Sequence, residues 1–311
     1  MRKSNVKTMK IFEKDNLQKR LIDLDECVIN ALNLFTREEV PDLEFSMYKR
    51  PFVVGSENAE VTGKILFEDR DALFADESNY KQKLMVVKGI NKAVLISASG
   101  EKHAPLIAKH LKKKKIEVHL LTNNPNALAK KYADKIYLFP KNTEPYTYNT
   151  STYMGMILEK KKEDSGKILE HIHKIKHEIP KDLNEYNAFF IILPEQFDAI
   201  KPMFLTKFDE LFGGRVCGRV FTMEQAKHAK TVVPYEKELF ISFGKANNLF
   251  GEKRVYIPLP KKCNYAALMA IVYYVIGQIQ KQHPPYFKNN IKEYTKRASK
   301  IFGHEIKPIV E

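Results

Sequence analysis

Short apolar runs alternate with amphipathic segments along most of this chain, and this alternation constrains the fold more than any other feature. The apolar runs of strand length lie at 52–54, 93–96, 118–121 and 136–139. Helical patterns lie near 57–67, 101–114 and 125–132. Because consecutive parallel strands need a crossover connection, this order is typical of a parallel sheet covered by helices. We therefore predict an α/β fold.

The second half of the chain continues the same pattern. Strand-like runs recur at 188–193, 239–243 and 255–259, and a long apolar helical pattern follows at 265–280. A charged stretch at 159–180 has no long apolar run, so we place a boundary near residue 180. The predicted organisation is an N-terminal helical segment at 1–45 and two α/β domains at 46–180 and 181–311. The first segment is predicted to be helical because its apolar residues recur at helical spacing: Leu17, Leu21, Leu24, Val28, Ala31 and Leu32.

Length and composition indicate a folded protein outside the membrane. The 311 residues are 44% hydrophobic, which is enough for a sizeable core. No apolar run approaches the roughly 20 residues of a membrane helix, and the first residues lack the apolar centre of a secretory signal, so we expect a cytoplasmic protein. Cys27, Cys217 and Cys263 are too scattered for a metal cluster or a disulfide framework, and we expect reduced packing residues.

The net charge of +14 favours an anionic partner. The lysines are spread along the chain, and neither zinc-finger spacing nor an RNP stretch nor a GxxG loop is present, so we do not expect nucleic acid to be that partner. The densest basic run, 109–115, closes a predicted helix, where cations complement the helix dipole. A small anionic metabolite fits this charge.

One turn carries a specific chemical signal. A hydrophobic strand ends in Ser97, Ala98, Ser99 and Gly100, and a helical pattern begins near Glu101. Hydroxyl groups, free backbone N–H groups and the positive end of a helix dipole together bind phosphate. An ordinary helix cap uses the same residue types, so the turn alone leaves both interpretations open.

The sequence that follows this turn narrows the choice. The next strand leads into TNNPNALAKKYAD, and a hydroxyl-rich segment, NTSTYMGMIL, comes before another helix. This succession over about residues 50–160 resembles the SIS (sugar isomerase) domain of phosphosugar isomerases and phosphosugar-binding proteins. The resemblance implies two flavodoxin-like SIS domains, with a sugar phosphate outside the carboxyl ends of the strands.

The resemblance also implies which residues bind the substrate. The candidates are hydroxyl side chains in three turns and one lysine: Ser56, Ser97, Ser99, Lys102, Thr150, Ser151 and Thr152. Two departures from the family pattern accompany them. Glu57 and Asn58 replace the glycine and serine that usually follow the first strand, and Lys102 stands where threonine is preferred and could bring a cation to the phosphate.

The candidate catalytic residues lie in the second half. Lys207 and Glu210 are three residues apart, which places them on one face of a helix, and His228 follows EQAK. From these residues alone, a surface ion pair and a solvated histidine are the ordinary interpretation. The segment is similar to the isomerase domain of glucosamine-6-phosphate synthase and to bifunctional phosphoglucose/phosphomannose isomerases. That similarity implies Glu210 as base, His228 in ring opening and Lys207 beside the enediolate, without metal or organic cofactor.

The expected function is aldose–ketose isomerisation of a hexose phosphate or amino-hexose phosphate. We expect a homodimer, because in this family the histidine often reaches the neighbour's site. Lys292 and Lys296 in the last helical pattern are further candidates for reaching the site. Two alternatives stay open: deamination of an amino-sugar phosphate, and a non-catalytic sugar-phosphate-binding regulator.

Overall fold

A five-stranded parallel sheet forms the framework of the first half. The computed structural model describes Leu17 and residues 20–311, so the beginning of the predicted N-terminal helix lies outside the described residues. The strands are β1 (Phe52–Val54), β2 (Leu73–Ala75), β3 (Lys92–Ile96), β4 (Glu117–Thr122) and β5 (Lys135–Leu138). Their order is β2-β1-β3-β4-β5, which is the flavodoxin-like order. The predicted strands of the first half are confirmed.

Six helices accompany this sheet within the described residues: α1 (Leu24–Phe35), α2 (Asn58–Leu66), α3 (Tyr80–Val86), α4 (Ala104–Lys113), α5 (Thr150–Lys161) and α6 (Ser165–Ile175). Two predictions are corrected. The helix expected from residue 101 begins at Ala104, where Pro105 fits the first turn. The helix expected at 125–132 is a 3₁₀ turn, Leu128–Tyr132, because the Asn124 side chain accepts the Asn126 N–H and stabilises a turn instead.

The second sheet has four parallel strands, β7 (Ala188–Leu193), β8 (Cys217–Thr222), β9 (Glu238–Phe243) and β10 (Arg254–Ile257), in the order β10-β9-β7-β8. Strand β10 ends before the predicted residue 259, since Pro258 and Pro260 have no N–H for the ladder. Strand β8 was not predicted. The helices are α7 (Lys201–Phe212), α8 (Met223–Ala226), α9 (Tyr265–Gln282) and α10 (Tyr286–Phe302).

The principal core lies between the two sheets. Along β1, Val53 faces this core, whereas Phe52 and Val54 face a separate core with α3 and α4 on the other side of the sheet. Helix α9 crosses the principal core, and both Tyr273 and Tyr274 are buried there, as predicted. Leu21, which precedes α1, and the apolar residues Leu24, Val28, Ala31 and Leu32 of α1 pack in the same core.

A close approach of backbones joins α9 to α1. A Cβ atom added at Gly277 would lie 2.1 Å from the backbone nitrogen of Asp25. Only glycine allows this contact, because any side chain at residue 277 would collide with the backbone of α1.

The parallel order also determines where a ligand can bind. Strand β1 lies between β2 and β3, so the chain connects β1 to β2 on one side of β1 and then returns to β3 on the other side of β1. At such a reversal of strand order a crevice opens at the carboxyl ends of the two strands, here β1 and β3. Among the described helices, none is long and apolar enough to cross a membrane. The two sheets lie on either side of residue 180, and the division of the chain into domains there stays a prediction.

Candidate functional site

A cleft of about 700 Å³ lies at the predicted crevice. Ser56 enters it after β1, Ser97 and Ser99 enter it after β3, and Lys102 lies beside them. Glu210 reaches the same cleft from α7. The structure thus brings five of the predicted site residues, from both halves of the chain, to one cavity.

The turn after β3 is built to leave its hydroxyl protons available. The Gly100 N–H donates to Ser97 Oγ at 3.1 Å, and the Glu101 N–H donates to Ser99 Oγ at 3.4 Å. Both hydroxyl oxygens therefore act as acceptors within the turn, and neither O–H donates to a protein acceptor in the part of the chain that the structure describes. Two hydroxyl donors facing a cleft are suited to the oxygens of a phosphate.

Gly100 and Asn124 hold this turn in shape. Gly100 has φ +65°, and a Cβ there would lie 2.4 Å from the Cβ of Ala127. The Asn124 side-chain amide donates to the Ser99 carbonyl at 2.9 Å and to Glu101 Oε1 at 3.2 Å. The TNNP motif after β4 therefore fixes the serine turn after β3, a role for Asn124 that sequence reasoning did not assign.

Two lysines line the same cleft as the serine turn. The Lys102 ammonium lies 4.4 Å from the ring centre of Phe302 and 5.0 Å from that of Tyr146. Burial lowers the pKa of Lys102, and burial also lowers the pKa of Lys141. Desolvated ammonium groups are stabilised by an anion, so both favour phosphate in this cleft.

Glu210 and Lys207 form the ion pair that their spacing predicts, in an unusual environment. Their Oε2 and Nζ atoms are 2.6 Å apart, and Lys207 Nζ also donates to the Thr147 carbonyl at 3.1 Å. The Lys207 side chain is fully buried, whereas Glu210 keeps 23% of its side-chain surface exposed. Burial raises the pKa of the Glu210 carboxyl, and the Lys207 charge opposes that rise. This carboxylate is more basic than an ordinary glutamate and faces the cleft.

The hydroxyl-rich turn is arranged differently. Thr150, Ser151 and Thr152 begin α5, are buried, and lie behind the cleft surface. Glu144 accepts the Thr150 N–H at 2.8 Å and the Ser151 hydroxyl at 2.9 Å. The helix N-terminus, where a phosphate would be expected, thus already holds a carboxylate of the protein. The substrate-binding role of the three hydroxyls stays a prediction.

The remaining candidates lie away from this cleft. His228 is exposed in the loop that follows α8, and Lys292 and Lys296 are exposed on α10. None of the three is among the cleft residues of a single chain. Their predicted roles therefore require either a second copy of the chain or a movement of these elements.

Sequence reasoning did not foresee the wall formed by the C-terminal segment. β11 (Ile309–Val310) pairs antiparallel with β6 (Glu144–Pro145), and residues 304–311 border the cleft. Lys141 donates to the main-chain oxygen of Glu311. Two-residue strands carry too little periodicity to be recognised in a sequence, which explains why this wall was missed.

Several buried polar atoms of cleft residues have no hydrogen-bond partner among the described residues: Asn58 Oδ1, Glu77 Oε2, Tyr146 Oη and Thr147 Oγ1. Such atoms are rare in folded proteins, and because they have almost no surface open to the empty cleft they give no indication of a ligand there. No group of three or more His, Cys, Asp or Glu side chains in the described part of the chain is arranged to hold a metal ion.

Solved structures with this architecture are numerous. Glucosamine-6-phosphate deaminase from Thermotoga maritima has a TM-score of 0.65 and 15% identity, over 86% of this chain and 93% of that chain. The C-terminal domain of glucosamine-fructose-6-phosphate aminotransferase from Francisella tularensis has a TM-score of 0.56 and 12% identity, over 85% and 94% of the two chains. The tagatose-6-phosphate ketose/aldose isomerase from Escherichia coli has a TM-score of 0.56 and 10% identity, over 85% and 89%.

This chain has the SIS fold. At these identities the likeness establishes the architecture, and it confirms the predicted α/β class with parallel sheets flanked by helices. Neither a comparison with protein-family models nor a comparison with curated protein sequences gives a match. Open parallel α/β sheets in general bind ligands outside the carboxyl ends of their strands, and the cleft lies at that edge of the first sheet.

Proposed function

We propose that this protein is a phosphosugar aldose–ketose isomerase that acts on a hexose phosphate or an amino-hexose phosphate. The observation that carries the proposal is the position of Glu210. A carboxylate with a raised pKa shares one cleft with the serine turn of Ser97 and Ser99. An anion-binding turn and a general base in the same cavity are the two parts that such an isomerisation needs.

In the proposed reaction, the serine hydroxyls and Lys102 hold the phosphate. A histidine, proposed to be His228, opens the sugar ring by moving a proton between the ring oxygen and the anomeric hydroxyl. Glu210 then removes the proton from C2 of the aldose, and an enediolate forms as the carbonyl oxygen at C1 gains negative charge. Glu210 returns the proton to C1, the proton of the C2 hydroxyl moves to the C1 oxygen, and C2 of the hexose phosphate becomes the carbonyl, so the sugar is isomerised without net gain or loss of atoms.

Lys207 is proposed to act through Glu210. Its ammonium is fully buried and contacts Glu210 directly, so it keeps the base ionised and oriented. Because His228 is exposed and outside the cleft of its own chain, we propose that a homodimer brings it to the cleft of the partner. We expect the enzyme to act in the cytoplasm.

A second candidate is deamination of an amino-sugar phosphate. The deaminase from Thermotoga maritima shares the fold with a TM-score of 0.65, and the first proton transfer at C1 and C2 would use the same base. A regulator that binds sugar phosphate without turnover is the third candidate, supported by the replacement of the usual residues by Glu57, Asn58 and Lys102. The following experiment separates the three.

The test is incubation in deuterated water with fructose 6-phosphate, glucose 6-phosphate and glucosamine 6-phosphate, followed by proton NMR of the C1 and C2 positions. The proposal predicts exchange and interconversion, and Glu210→Gln should bind the sugar and lose exchange. Ammonia release would establish the deaminase instead. Binding without any exchange in the wild type would overturn the enzyme proposal and leave the regulator.

A further inference from the structure

Neither the serine turn nor Lys207 supplies a hydrogen-bond donor for the proposed enediolate. The serine turn holds the phosphate in the proposed reaction. The Lys207 side chain has no exposed surface, and its ammonium contacts Glu210 and the Thr147 carbonyl, so it does not reach a sugar in the cleft. An oxyanion is stabilised most by a donor that is already in place, and such a donor usually makes a large contribution to catalysis.

Three tyrosines lie close to the buried ion pair, and two of them use their hydroxyls inside the protein. Lys207 Nζ lies 5.8 Å from the ring centre of Tyr148 and 5.7 Å from that of Tyr273. Tyr148 Oη accepts a hydrogen bond from the Gln280 side chain at 2.9 Å. Tyr273 Oη donates to the Met203 carbonyl at 3.5 Å. Neither tyrosine lines the cleft, so neither hydroxyl can serve a substrate.

The third tyrosine, Tyr153, lines the cleft and has an unused hydroxyl. It lies in the first turn of α5, and only 6% of the residue is exposed. Its Oη makes no hydrogen bond to the residues that the structure describes, and unlike Tyr146 Oη it is not enclosed by protein atoms. A tyrosine whose ring is held by packing and whose O–H is open to a cavity offers a fixed donor there.

Tyr153 and Glu210 line the same cleft from different halves of the chain, Tyr153 on α5 and Glu210 on α7. Burial raises the pKa of Tyr153, and the nearby charges of Glu210 and Glu144 raise it further. The phenol therefore keeps its proton at every pH at which an enzyme works. A base for the carbon-bound proton and a neutral donor for the oxygen are what proton abstraction next to a carbonyl requires.

We propose that the Tyr153 hydroxyl donates a hydrogen bond to the sugar oxygen on which negative charge develops when Glu210 removes the proton from C2. In the aldose-to-ketose direction this is the oxygen at C1. The inference rests on the proposed function, since it names the group that stabilises the intermediate of that reaction. A hydrogen bond to an anionic oxygen is stronger than one to a neutral oxygen, so the contact lowers the barrier more than it tightens sugar binding.

The test is Tyr153→Phe, which keeps the buried ring and removes only the hydroxyl. With the three hexose phosphates named above, kcat should fall about 100-fold while KM stays within about 3-fold. The loss should be the same at pH 6 and pH 8, because the phenol is neutral at both.

Binding provides a second measurement. A hydroxamate analogue of the sugar phosphate has planar oxygens that imitate the enediolate, and calorimetry should show it bound at least about 10-fold more weakly by Tyr153→Phe. The affinity for fructose 6-phosphate should stay within about 2-fold, since the ground-state oxygen is neutral. The urea midpoint should equal that of the wild type, because the hydroxyl has no partner among the described residues.

Tyr265→Phe is the matched control, because it makes the same change in a tyrosine that is only 4% exposed and whose hydroxyl donates to the Gln196 carbonyl outside the cleft. It should leave kcat within about 2-fold. An unchanged kcat in Tyr153→Phe, a loss confined to KM, or a lowered urea midpoint overturns the inference. If the wild type turns over a sugar and Tyr153→Phe does so equally well, only the inference is wrong; if the wild type exchanges no C1 or C2 proton of any of the three sugars, the proposed function is wrong and the inference fails with it.

Discussion

Replacing Lys207 by methionine tests whether the buried ion pair behaves as its surroundings require. Methionine keeps most of the side-chain volume and removes the charge. Breaking a buried ion pair by removing one partner costs about 3–5 kcal/mol. Glu210 keeps 23% of its side chain exposed and can take up a proton, so we expect a smaller loss, about 2–3 kcal/mol at pH 8.

The loss should depend on pH with a definite sign. Without Lys207, the pKa of Glu210, already raised by burial, rises further. A carboxyl whose folded-state pKa exceeds its unfolded value destabilises the fold as pH rises, because the unfolded state ionises more readily. Lys207→Met should therefore be less destabilising at pH 5 than at pH 8. Urea unfolding monitored by circular dichroism at both values measures the difference.

The chain provides a matched control for this prediction. Lys227 and Glu224 have the same i,i+3 spacing and the same 2.6 Å separation, but their side chains are 47% and 62% exposed. Exposed pairs contribute about 0–1 kcal/mol, so Lys227→Met should have little effect at either pH. The reasoning is refuted if Lys207→Met destabilises no more than Lys227→Met, or if its effect is the same at pH 5 and pH 8.

Three further predictions concern other parts of the molecule. Gly277→Ala should lower the free energy of unfolding by about 1–3 kcal/mol despite better helix propensity, because its Cβ would meet the Asp25 backbone; unchanged stability would show that the helices can separate cheaply. Cys217 is exposed, whereas Cys27 is buried and its burial raises the pKa of its thiol, so a thiol reagent should modify Cys217 rapidly in the native protein and leave Cys27 unmodified. Rapid modification of Cys27 would contradict its burial. Lys102→Met should weaken binding of fructose 6-phosphate by about 10-fold in calorimetry, and an unchanged affinity would remove Lys102 from the phosphate site.

Four of the five strands of the first sheet could be predicted from the sequence because each contains a compact apolar run, whereas the three-residue strand β2 was not predicted. The runs at 52–54 and 93–96 are buried on both faces, so they contain no polar residue that would hide them. Strand β8 escaped prediction because it contains Gly218 and Arg219 and is partly exposed. Helix α6 was not predicted because charged residues surround its apolar stripe of Ile168, Ile172 and Ile175.

The site was foreseen where local sequence determines it and missed where distant segments meet. Ser97 and Ser99 follow from one strand and one turn, and the spacing of Lys207 and Glu210 follows from one helix. Glu77 reaches the cleft only through the sheet order, and the wall at 304–311 reaches it only through the pairing of β11 with β6. Burial of a charge, as for Lys207, likewise depends on packing that no short segment encodes.

The most direct test of the account is a crystal structure of the protein with fructose 6-phosphate bound. The account predicts the phosphate within hydrogen-bonding distance of the Ser97 and Ser99 hydroxyls, and the sugar carbons C1 and C2 beside the Glu210 carboxylate. A sugar phosphate bound at the strand ends of the second sheet, or one whose C1 and C2 lie away from Glu210, would contradict it.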